Sequence, residues 1–244
     1  MRVLVTGGAG FIGSHLIDRL LQNPEVEGVL SYDVLDKQVH PDSPTWPSYQ
    51  FESAPEAWKG DAPRAQTWFG DVRDPNALAR AFESFLPDVV IHLAALVGVG
   101  QSAEWPAKYV SANTTGTSVL VETVARYNDA VAVREELERE LALPPEERAS
   151  SLEPSEDDVD PETAAANLAA FDAELLAKIQ ILPAKRIRTT IIAGSMSSYG
   201  EGGPFGVRED RALAPTSVYA WTKAAQEDIA RMIAEARGLD VRIA

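Results

Sequence analysis

The apolar positions of the first 125 residues follow two alternating rhythms. Short continuous runs, Val3-Leu4-Val5, Val29 to Tyr32, Thr67-Trp68-Phe69 and Val89 to Leu93, each stop in a turn rich in glycine or aspartate or in a short loop. Between them lie stretches with helical spacing, about Ser14 to Gln22 with Leu16, Leu20 and Leu21 on one face, Pro75 to Phe85, and Pro106 to Tyr127. Short, mainly apolar runs without alternation are strands buried on both faces, and strands alternating with helices predict a parallel sheet covered on both sides. Asn23-Pro24 stops the first helix, and Pro75 sits where proline is tolerated, in a first turn. The segment from His40 to Pro63 shows neither rhythm and reads as loop. Alternation resumes late in the chain, with a β-branched strand over Arg188 to Ala193, a helix over Ser217 to Ala236 ended by Gly238, and a strand at Val241-Arg242-Ile243.

Composition changes in between. Residues 129–185 hold 15 acidic and five basic residues, a balance of −10 in a chain whose whole net charge is −15. Ala130 to Leu143 and Pro161 to Leu182 read as helices, with Leu137, Leu141, Leu168, Phe171, Leu175 and Ile179 at helical spacing. The Pro144 to Asp160 tract joining them reads as disordered. The domain organisation expected is therefore 1–128 plus 186–244 as one nucleotide-binding unit and 129–185 as an acidic, partly helical insertion. In such a sheet the connection into the strand at Arg188 lies at the strands' N-terminal edge, away from the ligand edge, so the insertion is expected to take no part in chemistry. Its apolar stripe would pack on itself, on the rest of the chain, or on a second copy in a homodimer.

The composition of the 244 residues is otherwise that of a globular protein, 45% hydrophobic and 24% charged. A charge of −15 opposes a phosphate backbone, so nucleic acid is not an expected partner. Absence of cysteine excludes disulfides, thiolate metal sites and a cysteine nucleophile, and fits a reducing cytoplasm. No metal site is expected. The longest apolar stretch, Val89 to Val99, is about half of a bilayer span and contains His92, and Met1 to Val5 has no signal-peptide character, so no membrane association is expected.

Candidate chemistry sits at the strand ends. Gly7, Gly10 and Gly13, within Thr6-Gly-Gly-Ala-Gly-Phe11-Ile12-Gly13, follow a strand and precede a helix, the setting of a dinucleotide fingerprint. The glycines allow a tight turn, close approach of a pyrophosphate and helix–strand contact, and the helix start offers amide donors. Asp33, 20 residues past Gly13 at the end of the second strand, can accept both adenosine ribose hydroxyls and would repel a 2′-phosphate, which favours NAD over NADP. Asp71 and Val72, read as the end of the third strand, meet the adenine, or Asp71 caps the helix that begins near Pro75. Tyr219 and Lys223 stand one helical turn apart on one face. A lysine cation and a positive nicotinamide ring both favour the phenolate, which makes Tyr219 a candidate base. Ser195, at a strand end, can hydrogen-bond the same substrate hydroxyl.

Together with His92-Leu93-Ala94-Ala95, Asn113-x-x-Gly116-Thr117 and Ser195-x-x-x-Tyr199-Gly200, these residues resemble the extended short-chain dehydrogenases/reductases, in the NAD-dependent sugar-nucleotide epimerase/dehydratase branch. The resemblance covers Met1 to about Tyr127 and Ile187 to the end. It implies a Rossmann-type doubly wound α/β fold, NAD as cofactor and a nucleotide-diphosphate sugar as substrate. It further implies that Ser195, Tyr219 and Lys223 are catalytic, that Lys223 also binds the nicotinamide ribose, that Leu93, Ala94 and Ala95 line the cofactor and that Asn113 lies near it. His92 and His15 look like scaffold. Dehydrating members carry Asp-Glu after the catalytic hydroxyl; Met196-Ser197 stands there, so epimerisation at C4 through a transient keto sugar is the expected reaction. Residues 33–40, 96–102 and 195–202 look most like a bacterial subgroup that includes dTDP-L-rhamnose 4-epimerase.

Two departures from that family set the alternatives. Residues 129–185 replace a short connection, and the chain stops where the family continues into a substrate lobe, which reads as missing. A catalytically silent NAD-binding domain or scaffold, and a sugar-nucleotide dehydrogenase that releases its keto product, are the competing expectations.

Overall fold

Every apolar run with strand character becomes a strand of one parallel sheet. The computed structural model describes residues 1–35, 64–149, 161–201 and 207–244. The loop expected over His40 to Pro63 and most of the Pro144 to Asp160 tract lie outside the described residues. The strands are β1 (Arg2–Thr6), β2 (Gly28–Asp33), β3 (Ala65–Phe69), β4 (Val89–His92), β5 (Thr189–Ile192) and β6 (Val241–Ile243), in the order β3-β2-β1-β4-β5-β6. Every pairing is parallel, with Val3 opposite both Val29 and Val89. The order reverses at β1, which places the ligand crevice of such a sheet beyond the C-terminal ends of β1 and β4. This is the doubly wound Rossmann-type α/β fold.

The helices are α1 (Phe11–Leu21), α2 (Pro75–Phe85), α3 (Val99–Glu104), α4 (Pro106–Tyr109), α5 (Gly116–Leu141), α6 (Pro145–Ala149), α7 (Pro161–Ile181) and α8 (Val218–Arg237). On one side of the sheet Val3, Val5, Val26 and Val29 bury against Ile17 of α1. Farther along, Val121 of α5 and Ala230 of α8 close over Ile192 of β5. Fully burying a valine or isoleucine side chain contributes about 1.5–3 kcal/mol, so these clusters dominate the sheet's stability.

Some boundaries differ from the sequence expectation, each for a local reason. β3 ends at Phe69, so Asp71 and Val72 follow the strand rather than end it. Asp71 does not cap α2: Asp74 does, its carboxylate accepting the N–H groups of Asn76 and Ala77 at 2.9 and 3.0 Å. α1 starts at Phe11, three residues earlier than expected, because Gly13 lies inside the helix rather than in the turn before it. Gly238 ends α8 with φ 64°, as a C-terminal glycine does. α3 carries no apolar period in the sequence and is not anticipated there. The Pro106-to-Tyr127 helix proves to be α4, a π-helical turn (Val110–Thr115) and α5, which runs without a break to Leu141.

The described residues form two compact units, Met1–Arg126 with Ile187–Ala244, and Tyr127–Arg186. In the second, a short helix, α6, stands at Pro145–Ala149 where disorder is expected. Arg148 makes a two-pronged pair with Asp172 of α7, at 2.9 and 2.8 Å. The Arg134 guanidinium donates to the carbonyls of Ile179 and Leu182 at 3.2 and 2.9 Å, completing the C-terminal end of α7. Leu175 and Ile179 are buried, whereas Leu137, Leu141, Leu168 and Phe171 are half-buried.

His92, at the end of β4, is wholly buried and bonded to hydroxyls on both ring nitrogens, Thr6 at 2.6 Å and Thr117 at 2.9 Å. It ties β1, β4 and α5 together. Burial, with the Lys223 cation as a lesser cause, pushes its pKa down to about 3. The folded value lies below the unfolded value of about 6.5, so the stability linked to neutral His92 is complete above that pH and is lost as pH falls towards 3. Denaturant titrations should therefore show stability falling by up to about 1.4 kcal/mol per pH unit in that window, from this group alone. His92→Gln should flatten the slope; an unchanged slope would mean other groups carry it.

Candidate active site

The turn after β1 is built for close approach. Gly7 has φ +70°, and a Cβ there would stand 2.6 Å from the backbone nitrogen of Ala94, so turn and post-β4 loop meet backbone to backbone. A Cβ on Gly13 would overlap the Gly7 carbonyl oxygen, which fixes the start of α1 against that turn. Gly10 is the N-cap and brings no capping side chain, while Phe11 and Ile12 are largely exposed. The Asp33 carboxylate is held at the end of β2 by the Ala9 N–H at 3.0 Å and the Leu35 N–H at 2.8 Å. An uncapped helix start, a cradle that a side chain would fill and a carboxylate fixed beside it suit a pyrophosphate and an adenosine ribose diol.

Val72 is buried past β3. Asp71 chelates the Arg73 guanidinium, and that hydrogen-bonded partner holds its carboxyl below the usual carboxylate range. Arg73 reaches on to the Ser111 hydroxyl at 3.1 Å, so Asp71 organises a surface arginine beside the crevice.

Leu93, Ala94 and Ala95 form the loop leaving β4, anchored by the Leu93 N–H on the Thr6 carbonyl and the Ala94 N–H on the Thr6 hydroxyl. Asn113, wholly buried in the π-helical turn, clamps that loop to α8. Its amide oxygen accepts the Leu96 N–H at 2.7 Å, and its amide nitrogen donates to the Leu96 carbonyl and the Thr222 hydroxyl, both at 3.0 Å. An asparagine presents both donors and an acceptor, which is what binding a backbone and a hydroxyl at once requires.

α8 carries Tyr219 and Lys223, and sets Lys223 at the end of β5. The Tyr219 N–H donates to the Ser102 hydroxyl at 3.0 Å, and its ring meets Tyr109 edge-on with centroids 6.3 Å apart. One turn on, Lys223 is 3% exposed and its ammonium donates to the Ala193 carbonyl at 2.6 Å and the Gln226 amide oxygen at 3.1 Å. Burial pushes its pKa down to about 8, so it remains a cation at neutral pH. Ser195, two residues beyond Ala193, exchanges a 2.7 Å hydrogen bond with the Ser197 hydroxyl. Met196 is exposed, and neither it nor Ser197 can exchange a proton near neutral pH. Ser102, Thr222, Gln226 and Glu227 were missed from sequence; the available signal was the run of polar residues, 222, 223, 226 and 227, on the buried face of one helix.

Comparison with known proteins shows the family. The sequence profile of the NAD dependent epimerase/dehydratase family matches residues 3–133, from β1 well into α5 and just over half of the chain. The chain belongs to the NAD dependent epimerase/dehydratase family. It is similar to dTDP-glucose 4,6-dehydratase 1 of Escherichia coli K12, at 35% identity over 131 residues, 54% of this chain and 33% of that protein. It is also similar to UDP-glucose 4-epimerase 2 of Arabidopsis thaliana, at 39% over 125 residues, 51% of this chain and 33% of that one. Two solved UDP-glucose 4-epimerases share the fold, each with TM-score 0.62 and 22% identity over 100% of this chain and 54% of theirs. One is from Thermotoga maritima with UDP-glucose and one from Thermus thermophilus with NAD. The chain thus spans about half the length of these structures, and its matched part about a third of the curated relatives. NAD is the cofactor this family is named for, and the Gly7–Gly13 cradle and Asp33 fit it. Among the described residues no helix is long and apolar enough to cross a membrane and no cluster of side chains could hold a metal ion.

Proposed function

We propose that the chain is an NAD-dependent epimerase acting at C4 of a nucleotide-diphosphate sugar. The observation that carries this reading is the end of β5. There Lys223 bonds the Ala193 carbonyl two residues before Ser195, Tyr219 lies one turn away, and Met196-Ser197 offers no second acid–base pair. The family profile stops at residue 133, so the choice between epimerisation and dehydration rests on these later residues.

Gly7, Gly10, Phe11, Ile12 and Gly13 would hold the pyrophosphate of NAD, Asp33 its adenosine ribose, Asp71 and Val72 the adenine side, and Leu93 to Ala95, with Asn113 behind them, the nicotinamide half. When bound, NAD supplies a hydride acceptor that can return the hydride. Tyr219 would take the proton of the C4 hydroxyl, and Ser195 would hold that hydroxyl in place. The Lys223 ammonium would bond the nicotinamide ribose. Tyr219 would give the proton back to the C4 oxygen of the epimer. The sum is a change of configuration with no net redox.

The test is the full-length chain with NAD and each of UDP-glucose, dTDP-glucose and a dTDP-deoxyhexose such as the rhamnosyl nucleotide, followed by proton NMR. Formation of a C4 epimer without accumulating NADH supports the reading. Stoichiometric NADH with a free keto sugar would make it a dehydrogenase, and retained NAD with no conversion of any sugar would make it a silent cofactor-binding domain.

The Asp33 carboxylate gives a separate expectation. Calorimetry should show NAD binding at least about tenfold tighter than NADP, a difference of about 1.4 kcal/mol that one fixed charge near a phosphate readily supplies. Equal or tighter NADP binding would remove Asp33 from the ribose site. Replacement of residues 129–185 by a short glycine-containing turn should leave NAD affinity within a few-fold, since no proposed cofactor residue lies there and closing a shorter loop costs little entropy. Loss of NAD binding in a variant that circular dichroism shows to be folded would give that segment a part in the site.

A further inference from the structure

We propose that Ser102 is a positioning residue for Tyr219, fixing the first turn of α8 to the segment that follows the cofactor-lining loop; the inference rests on the reading above for what Tyr219 does. A helix start leaves its first N–H groups without partners inside the helix. At α8 two serines take two of them. Ser217, the N-cap, accepts the Ala220 N–H at 3.1 Å, an ordinary local cap. The Tyr219 N–H goes instead to the Ser102 hydroxyl oxygen at 3.0 Å, 117 positions away in sequence. Ser102 is wholly buried in α3, and its own O–H donates to the Val99 carbonyl at 2.6 Å. With its proton directed inside α3, the oxygen is left to meet Tyr219 as an acceptor.

Other contacts of Tyr219 lead back to the same segment. Its carbonyl accepts the Thr222 hydroxyl at 2.8 Å, and that hydroxyl accepts the Asn113 amide, which clamps Leu96. Its ring meets Tyr109, whose hydroxyl donates to the Val97 carbonyl at 2.7 Å. Backbone N–H, backbone carbonyl and ring are thus all referred to residues 96–102, directly after Leu93 to Ala95. Of the three links, only the Ser102 bond joins that segment to the Tyr219 backbone in one step. A base must stand within hydrogen-bond reach of the proton it takes, and a displacement of about 1 Å can cost about a hundredfold in rate. Alanine at 102 would fill nearly the same space; what the hydroxyl adds is this one link.

Variants of the full-length chain test this by Tyr219 amide exchange, thermal melting, NAD calorimetry and steady-state kinetics. Ser102→Ala should raise Tyr219 exchange about fivefold to tenfold, the net worth of one neutral hydrogen bond. Its kcat should fall about tenfold to a hundredfold, while KM for the sugar and NAD affinity stay within a few-fold. Ser217→Ala removes the other cap at the same helix end and is the structural benchmark. It should lower the melting temperature by a similar amount, yet leave Tyr219 exchange near wild type and kcat within a few-fold. A loss of kcat in Ser217→Ala as large as in Ser102→Ala would make Ser102 one helix cap of two and overturn the proposal, as would unchanged Tyr219 exchange or unchanged kcat in Ser102→Ala. If Ser102→Ala does not fold, Ser102→Cys, which keeps the bulk with a weaker acceptor, should show the same changes at smaller size, and their absence there overturns the proposal equally. A chain that turns over no sugar would end the enzymatic reading, whereas Tyr219 exchange in the two alanine variants would still decide this one.

Discussion

Tyr219→Phe is expected to lower turnover by about 10²- to 10⁴-fold, the range general acid–base catalysis contributes, while leaving NAD affinity within a few-fold. The phenyl ring keeps its edge contact with Tyr109, and the backbone N–H keeps its bond to Ser102, so the start of α8 should not move. What disappears is the oxygen proposed to take a proton from the sugar. Because that oxygen acts in the transition state, kcat and kcat/KM should fall together with little change in KM. Steady-state kinetics and calorimetry on the same preparation would check this. Undiminished turnover would move the base elsewhere, and a parallel loss of NAD binding would show a structural role for the hydroxyl.

Gly13→Ala should strike the cofactor end instead. The new methyl would overlap the Gly7 carbonyl oxygen and stand 2.7 Å from the Gly8 Cα, both backbone atoms that cannot swing aside. The start of α1 must back away from the turn, at about 1–3 kcal/mol of stability, the ordinary cost of overpacking. Its amides then miss the pyrophosphate, and each loss of about 1.4 kcal/mol of contact weakens NAD about tenfold. Thermal melting and calorimetry should show both losses. Gly100→Ala is the control, since nothing lies within 4 Å of a Cβ there and neither quantity should change by more than helix propensity allows. Equal effects from the two substitutions would mean that the Gly13 contact is not special.

The sheet was legible because each strand is a short run of mainly apolar or β-branched residues that a glycine, an aspartate or a brief loop bounds. Neither feature depends on distant parts of the chain. Boundaries set by side-chain geometry were less so. Asp71 and Asp74 are the same residue type three positions apart, and only the three-dimensional turn decides that Asp74 caps α2 while Asp71 turns to Arg73. α5 runs to Leu141 because residues 127–130 contain neither glycine nor proline; the change in composition there suggested a border that the backbone does not mark. The Gly7–Gly13 cradle, Tyr219 and Lys223 could be singled out from spacing, since each pattern is local. Asn113 as a clamp could not, because its partners lie 17 to 109 positions away in sequence. A buried polar run on one helix face is the trace such contacts leave.

Transfer of hydride from C4 and back is the centre of the proposed chemistry, and a C4-deuterated nucleotide sugar follows it directly. Incubated with the full-length chain and NAD in ordinary water, it should give the C4 epimer with deuterium still at C4, because the same hydride returns and only the hydroxyl proton passes through Tyr219. An epimer that had lost its deuterium to solvent would replace hydride transfer by proton abstraction, and deuterium found on accumulated NADH, or no turnover at all, would contradict epimerisation by this chain.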